Sequence, residues 1–535
     1  SLITAFEVKI MSEILHQPAI VGAESVESKT TSLRDYFPAI IAVVGSVLLV
    51  LLRMQVGMDR FISDGALMML ALACYLTAAV FHLTNLYAPS EMAQKVGLWL
   101  ATSGVLFNLS SWGVRWINAR DHELAILLKN PDAQIPWFFR YIPFANLYDL
   151  SLAFAFGAGI TTLLIAHRKS FRFLGALSLP LASLILVLAR FIGDEFINLP
   201  PILDSYWRPI HVGIASLSYG VALVCFAIAV VYLLKDGLKP EAMAIWSSIF
   251  GLAILATINR FMLFPTLLTL KPSYAASTFL MRGSTRMPIP LRAEIPFVGW
   301  LLAIAALLLI GVIIAFGKYI MQKDETARVW GHRFLRLALV VQGCGIALLV
   351  SQVKTIKNVQ TLIDPRQFDR FNTWLAEQGA DMSAQQFMQV NGSSLALSLN
   401  ANPVELAALI TAFAATLFVL LFSFRTEKVK AALPPLEKLD SLMYKTASVA
   451  FAMLAMLLIT GAIWANESWG AYWSWDSKEV GALVAWLTYA AYLHTRIARG
   501  WTGRRSAYFA ILGFLLVIFT YLGVSYLIPG LHSYA

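Results

Sequence analysis

The chain has 535 residues, of which 59% are hydrophobic and 13% are charged. So little polar surface excludes an ordinary soluble domain and predicts an all-α polytopic membrane protein. A net charge of +10 would suggest nucleic-acid binding in a soluble protein, but in a membrane protein the basic residues are first sorted by membrane side. No nucleic-acid partner is expected.

Thirteen apolar runs have spanning length, with twelve to fourteen as the expected range. They are 36–53, 64–83, 97–116, 144–166, 173–192, 211–234, 243–264, 296–317, 333–352, 404–423, 446–465, 479–496 and 506–528. The run at 243–264 is the weakest, because it contains Asn259 and Arg260. Segment 353–403 is polar and contains amphipathic pieces, which predicts a small external helical insert.

The basic connections set the orientation. If the N-terminus is cytoplasmic, the inner connections include the basic segments 167–172, 318–336, 425–445 and 496–505. The positive-inside rule then places the connection 465–478 outside. Loop 265–295 carries several basic residues and runs against the rule.

The three cysteines, Cys74, Cys225 and Cys344, all lie in apolar runs, and the chain has neither CxxC nor CxxCH. The chain is therefore not itself expected to be a dithiol oxidoreductase or to carry covalent heme.

The outer connection is unusually aromatic. The stretch from Trp464 to Asp476 holds four tryptophans, a tyrosine and two carboxylates between two apolar runs. An aromatic belt at the membrane interface would explain the tryptophans. Their clustering around Gly470 in a short loop favours a flat platform for a large planar ligand instead.

Two histidines are predicted at the level of this loop. His211 opens one span and His532 follows the last one. Either alone would ordinarily be a solvated interfacial residue. Together, over an aromatic shelf, they indicate a bis-histidine site for a porphyrin, since imidazole is an axial ligand of heme iron.

A third histidine, His494, lies near the inner end of its span. It is on the order of 20 Å below the outer loop, so it cannot share a ligand with that site. A histidine inside a span is a functional candidate, although a hydrogen bond that helps helices pack is the competing use. His82, at a similar predicted depth, is the in-chain histidine that could face His494 from another span.

The motifs resemble a known family. The run from Trp469 to Asp476, followed by Lys478 and Glu479, resembles the WWD signature of proteins that handle heme during cytochrome c maturation. Segments 146–149, 444–446 and 530–534 narrow the resemblance to the CcsA family, also called ResC, the membrane subunit of the System II cytochrome c synthase. The CcmC and CcmF families share the WWD signature but lack the motif at 530–534. The resemblance covers about 136–235 and 437–535.

This resemblance implies a function in cytochrome c biogenesis. Heme b would be carried from the inner side to the WWD site, held there by His211 and His532, and joined to a CxxCH apocytochrome c. The implied activity is that of a holocytochrome c synthase of the heme lyase type. His494 would be an inner heme ligand, with a second ligand from a CcsB/ResB-like partner or from His82. Thiol-reducing proteins would act indirectly.

Further residues are assigned to the site by the same resemblance. The heme-binding loop residues would be Trp469, Gly470, Tyr472, Trp473, Trp475 and Asp476. Arg208 is a candidate partner for a heme propionate, and Asp476 is expected to orient the loop backbone or a histidine. No side-chain nucleophile is expected, because the thiols come from the substrate. Ser477 replaces the family's usual proline, which removes a rigid turn but no ligand.

The expected organisation has five parts. They are an N-terminal tail (1–35), extra N-terminal spans (36–95), a first CcsA-like half with His211 (96–235), an insertion with extra spans (236–436) and the WWD core with His532 (437–535). The expected location is the bacterial inner membrane with the WWD loop facing the periplasm; a plastid thylakoid membrane is the alternative. Two other functions stay open, a heme exporter or chaperone that serves a separate lyase, and a structural or quinone-linked subunit.

Overall fold

The computed structural model describes residues 33–130, 135–144, 146–192, 201–258, 274–282, 285–398, 403–423 and 426–523. These residues form sixteen α-helices and three strands. In chain order the elements are α1 Phe37–Val56, α2 Asp64–Tyr87, α3 Glu91–Leu127, α4 Leu147–Ala166, α5 Gly175–Ile192, α6 Trp207–Lys235, α7 Pro240–Ile258, β1 Tyr274–Arg282, β2 Thr285–Ile295, α8 Val298–Gln322, α9 Glu325–Thr355, α10 Phe368–Glu377, α11 Ala384–Asn391, β3 Leu395–Ser398, α12 Pro403–Ser423, α13 Thr426–Ala432, α14 Leu436–Trp469, α15 Ser477–Arg499 and α16 Arg504–Ile518.

Nine helices in the described part of the chain are long and apolar enough to cross a membrane. A tenth candidate is the pair Leu409–Phe422 and Thr426–Ala432, which is bent by 85°. The chain is therefore a mostly helical, multi-pass membrane protein, but thirteen spans are not confirmed. The other predicted runs lie in α3 and α15, which carry polar residues at these positions, and in α7, whose apolar part is the short Pro240–Leu255.

Helix α6 lies at the centre of the largest core and packs against α4, α14 and α16. Small residues allow this close packing. A Cβ atom on Gly220 would lie 2.3 Å from the backbone carbon of Gly157 on α4, so the two backbones touch at this crossing. Close approach through glycine is a common way for membrane helices to associate, since lipid provides little hydrophobic drive between them.

The N-terminal helices are attached to α4 by buried charges. Arg115 on α3 is 1% exposed and donates from Nε to the carboxylate of Asp149 near the start of α4. Asp64 lies 3.6 Å from the same guanidinium, which also covers the ring of Tyr148 at 4.6 Å. Buried charges inside a helical bundle require such partners. The network fixes the start of α4 against α2 and α3.

A small α/β module replaces the predicted helical insert at 353–403. Strands β1 and β2 form an antiparallel hairpin, β3 pairs with the other edge of β1, and α10 and α11 pack on the sheet around Leu291, Phe371 and Phe387. The hairpin occupies a segment that the sequence predicted to be a loop. Pro288 and Pro290 on the edge strand obscure the alternating pattern of β2. The all-α prediction is therefore right for most of the chain and wrong for this module.

Candidate functional site: an aromatic cavity beneath the tryptophan loop

Glycine and a capping box shape the tryptophan loop. Helix α14 ends at Trp469, and Gly470 follows in the left-handed conformation with φ of +75°, which glycine adopts without strain. Helix α15 starts at Ser477, where the carboxylate of Asp476 accepts a hydrogen bond from the backbone N–H of Lys478 at 3.1 Å. The Asp476 carboxylate thus caps α15 and orients the backbone at the end of the loop.

Glu479 holds the loop from its far end. Its carboxylate accepts hydrogen bonds from the backbone N–H of Ser474 at 2.8 Å, from the Ser474 hydroxyl at 3.1 Å and from the backbone N–H of Asp476 at 3.2 Å. Sequence reasoning gave Glu479 no role. The signal that could have found it is the Asp-x-x-Glu spacing of a capping box before an apolar run.

Trp475 stands in a strained position of the loop. Its φ is +59°, a conformation that costs a non-glycine residue of order 1–3 kcal/mol. Its side chain is 72% exposed and meets the ring of Trp473 edge-on, with 5.9 Å between centroids. The loop therefore exposes Trp475, whereas Trp473 lines the cavity beneath the loop.

A cavity that is partly open to solvent lies beneath the loop, with about 1120 Å³ of empty space when the solvent in its open mouth is included. Its walls come from the starts of α4, α6 and α15, from the last third of α14 and from the turn that follows α16. Most of the lining is apolar or aromatic, as in ordinary sites for small molecules and cofactors. The lining residues used below are Phe144, Asn146, His211, Trp464, Trp469, Tyr472, Trp473, Lys478, Glu479, Thr520 and Tyr521.

His211 reaches this cavity from the first turns of α6. Its Nδ1 lies 3.0 Å from the carbonyl oxygen of Leu457 and 3.4 Å from the hydroxyl of Thr460. A hydrogen bond from Nδ1–H to the carbonyl makes Nε2 the nitrogen that carries the lone pair. Histidines that bind metals usually have this arrangement, because the second hydrogen bond fixes the tautomer and the ring orientation. His211 therefore fits an axial ligand of heme iron.

Gly461 makes room for this imidazole. A Cβ atom at position 461 would lie 2.7 Å from Cε1 and 3.0 Å from Nδ1 of His211. The ring also lies 5.7 Å from the ring of Trp464, measured between centroids. Trp464 lines the cavity and is 5% exposed, and its buried Nε1–H has no hydrogen-bond partner among the described residues. A buried donor of this kind costs about 1–3 kcal/mol, so it favours a ligand with an acceptor group.

The structure brings part of the predicted site together. His211 shares one cavity with the loop residues Trp469, Tyr472 and Trp473. Gly470, Trp475 and Asp476 belong to the loop but do not line the cavity. His532 lies outside the described residues, eleven positions after Tyr521, which is on the cavity wall.

Arg208 lies elsewhere. It is 5% exposed, and its guanidinium donates to the carbonyl oxygens of Arg140 at 2.5 Å and Ile142 at 3.5 Å. These contacts secure the segment before α4 rather than the cavity wall, of which Arg208 is not a part. The predicted propionate contact gains no support from this geometry.

The structure places His82 and His494, both predicted to lie on the inner side, on helices with different neighbours. His82 on α2 is 3% exposed and is enclosed by glycines on two other elements: a Cβ on Gly175 would lie 2.3 Å from its Cδ2, and one on Gly97 would lie 3.2 Å from its Nε2. His494 is exposed on α15, whose main helix neighbours are α14 and α16. The two residues thus occupy different surroundings.

The lining also includes polar residues to which the sequence analysis assigned no role. Asn146 caps α4 by accepting from the backbone N–H of Asp149 at 2.9 Å. Lys478 contributes a basic side chain; burial lowers the pKa of its ammonium group, and the nearby Asp476 carboxylate opposes that shift. Asn146 and Lys478 were within the quoted motifs, but sequence spacing alone could not show that both face one cavity.

Fold and site together define a multi-pass membrane protein with a histidine-bearing aromatic cavity at one end of its central helix. The sequence model of the family described as Cytochrome C assembly protein matches residues 144–314 and 404–532, more than half of the chain. The chain belongs to this cytochrome c assembly protein family, and it functions in cytochrome c biogenesis. The matched segments extend beyond the resemblance found from the motifs, and include α7, β1, β2 and most of α8.

Curated relatives share one short segment at high identity. The chain is 58% identical over 98 residues to the cytochrome c biogenesis protein CcsA of Synechococcus sp. strain CC9902, which is 18% of this chain and 32% of that protein. CcsA of Prochlorococcus marinus strain MIT 9515 is 60% identical over 98 residues, or 31% of its length. CcsA of Guillardia theta is 58% identical over 99 residues, or 33% of its length. Each match covers about a third of the relative.

Proposed function

We propose that this chain holds heme b as a substrate in the cavity beneath the tryptophan loop and promotes its attachment to a CxxCH apocytochrome c. The observation that carries the proposal is the shared cavity of His211, Trp469, Tyr472 and Trp473. His211 and His532 would be the axial ligands of the iron. Membership of the cytochrome c assembly protein family supports the heme assignment.

The surroundings of His211 suit a heme ligand. The Leu457 carbonyl oxygen fixes Nδ1 as the donor, so Nε2 would bind the iron. The aromatic side chains would cover the porphyrin faces and exclude water from it. Thr520 and Tyr521 lie on the cavity wall near the end of the described part of the chain, which supports a role for His532 shortly after them.

The reaction needs no nucleophile from this chain. Each apocytochrome thiol adds across one heme vinyl group: a carbon–sulfur bond forms, and the thiol hydrogen passes to the other vinyl carbon. No electrons are gained or lost in this addition. The chain would supply positioning, which can contribute several kcal/mol by itself when reacting groups are held in line. Thiol-reducing proteins would keep the apocytochrome cysteines reduced.

We also propose a second heme site, at His494. His494 would bind heme near the inner end of α15, and its exposure supports a site that a CcsB/ResB-like membrane partner completes. His82 is enclosed by Gly97 and Gly175, which favours packing over heme ligation. The proposed location is the bacterial inner membrane, with the tryptophan loop on the periplasmic side.

Coexpression with a CxxCH apocytochrome and the partner tests this function. The wild-type chain should yield a holocytochrome with covalent heme, whereas His211→Ala and His532→Ala should lower that yield about tenfold or more. His494→Ala should reduce the heme content of the purified chain. If the chain binds heme but no thioether forms with the partner present, export or chaperoning replaces synthesis. If all three variants keep the wild-type heme content and yield, the proposal is wrong.

A further inference from the structure

One basic side chain lines the cavity among the residues that the structure describes. It belongs to Lys478, the second residue of α15. The remaining charged residue in the lining is Glu479, whose carboxylate accepts three hydrogen bonds from Ser474 and Asp476. Both side chains line the cavity, and Lys478 is the one that brings a positive charge to it.

The surroundings of Lys478 favour an anionic ligand. The ammonium group is partly removed from water, so burial lowers its pKa, and the Asp476 carboxylate offsets part of that shift. The positive end of the α15 dipole adds to the same potential. Trp464 contributes a buried indole N–H that has no hydrogen-bond partner among the described residues. Lys478 and Trp464 therefore present donor groups to the mostly apolar cavity from two different helices.

Two buried arginines on neighbouring helices lie outside the cavity lining. Arg208 donates to the carbonyl oxygens of Arg140 and Ile142. Arg115 is paired with Asp149 and Asp64. Neither guanidinium lines the cavity.

We propose that Lys478 binds a propionate carboxylate of the porphyrin in this cavity and thereby sets the orientation of the ring. This inference rests on the proposed heme function. Protoporphyrin carries its two propionates on one edge and its vinyl groups toward the other. Anchoring the propionate edge at the start of α15 directs the vinyl edge away from Lys478, and Trp464 supplies a second hydrogen-bond donor. Lys478 is a specificity-determining residue in this scheme.

Ligand affinities test this assignment. The full-length chain in detergent is titrated with hemin and with hemin dimethyl ester, which has the same ring and iron but no carboxylates, and binding is followed by the Soret band. Wild type should bind hemin about tenfold or more tightly than the ester, because a charge-assisted hydrogen bond is lost. Lys478→Gln should bind both with the affinity of the ester. Lys478→Arg should keep the preference, as should the control Lys438→Gln at an exposed site on α14.

The outcomes separate this inference from the proposed function. Equal affinity of the wild-type chain for hemin and its ester overturns the Lys478 assignment without any variant. A preference that persists in Lys478→Gln also overturns it, while the heme site itself stands. If wild type binds neither porphyrin, the proposed function is wrong and the assignment falls with it.

Discussion

Replacing Gly461 by alanine should damage the proposed heme site without damaging the fold. The added Cβ atom would lie 2.7 Å from Cε1 of His211, whereas carbon atoms in contact are ordinarily about 3.5–4.0 Å apart. The imidazole must therefore move by about 1 Å, away from the Leu457 carbonyl oxygen that orients it. Loss of such an outer partner typically weakens metal binding about 10–100-fold.

The folded chain should tolerate the same change. Alanine is favoured over glycine inside a helix by about 1 kcal/mol, and position 461 lies well within α14. The prediction is therefore a thermal midpoint equal to or above that of the wild-type apoprotein, together with heme affinity lower by about 10–100-fold. Heme titration and thermal unfolding by circular dichroism measure the two quantities on one preparation.

Gly317 in α8 provides the matched control. A Cβ atom there would meet nothing within 4 Å, so Gly317→Ala should leave heme affinity unchanged. If Gly461→Ala binds heme as tightly as wild type, heme affinity does not depend on the orientation of His211 by α14. If both glycine variants lose affinity equally, the effect is a general one on the helices, and the contact between position 461 and His211 does not explain it.

Three further predictions concern the loop and the N-terminal helices. Glu479→Ala should speed hydrogen exchange at the Ser474 amide by about tenfold and weaken heme binding, because the loop loses its charged acceptor. Ser477→Pro should stabilise the chain by about 0.4–1 kcal/mol in thermal unfolding, since the first helical position suits proline and needs no N–H. Arg115→Met should destabilise it by about 3–5 kcal/mol, because the Asp149 carboxylate loses its buried partner.

Each of these predictions has a control that separates it from a general effect. Glu437→Ala removes an exposed carboxylate from the first turn of α14 and should leave the loop unchanged. Ser477→Ala should not reproduce the gain from proline. Arg366→Met removes an arginine side chain that is 90% exposed and should cost less than about 1 kcal/mol. A loop that exchanges at the wild-type rate in Glu479→Ala, or an Arg115→Met protein as stable as wild type, would contradict the roles given to these charges.

The sequence predicted the helical architecture because long apolar runs leave few alternatives in a membrane. It could not decide the number of spans. Helix α3 buries Asn108 and Arg115 against neighbouring helices, and those partners are visible only in three dimensions. The β1–β2 hairpin was missed because prolines interrupt β2 and because β3, its third strand, comes about a hundred residues later in the chain.

The candidate site was predicted in outline. The motifs led to His211 and to the tryptophan loop, which share one cavity. Sequence could not show which loop residues face inward, because Gly470 and the left-handed Trp475 turn the chain between them. The role of Gly461 depends on a contact across more than two hundred residues of sequence and leaves no local pattern.

In the proposed function, Nε2 of His211 binds heme iron in the cavity beneath the tryptophan loop. The most direct measurement is the visible spectrum of heme-loaded His211→Gly with and without added imidazole. We expect the variant to lose the Soret position and heme affinity of wild type. Free imidazole, which fits the space left by the side chain, should restore both. A variant whose spectrum and affinity equal those of wild type before imidazole is added would contradict the claim.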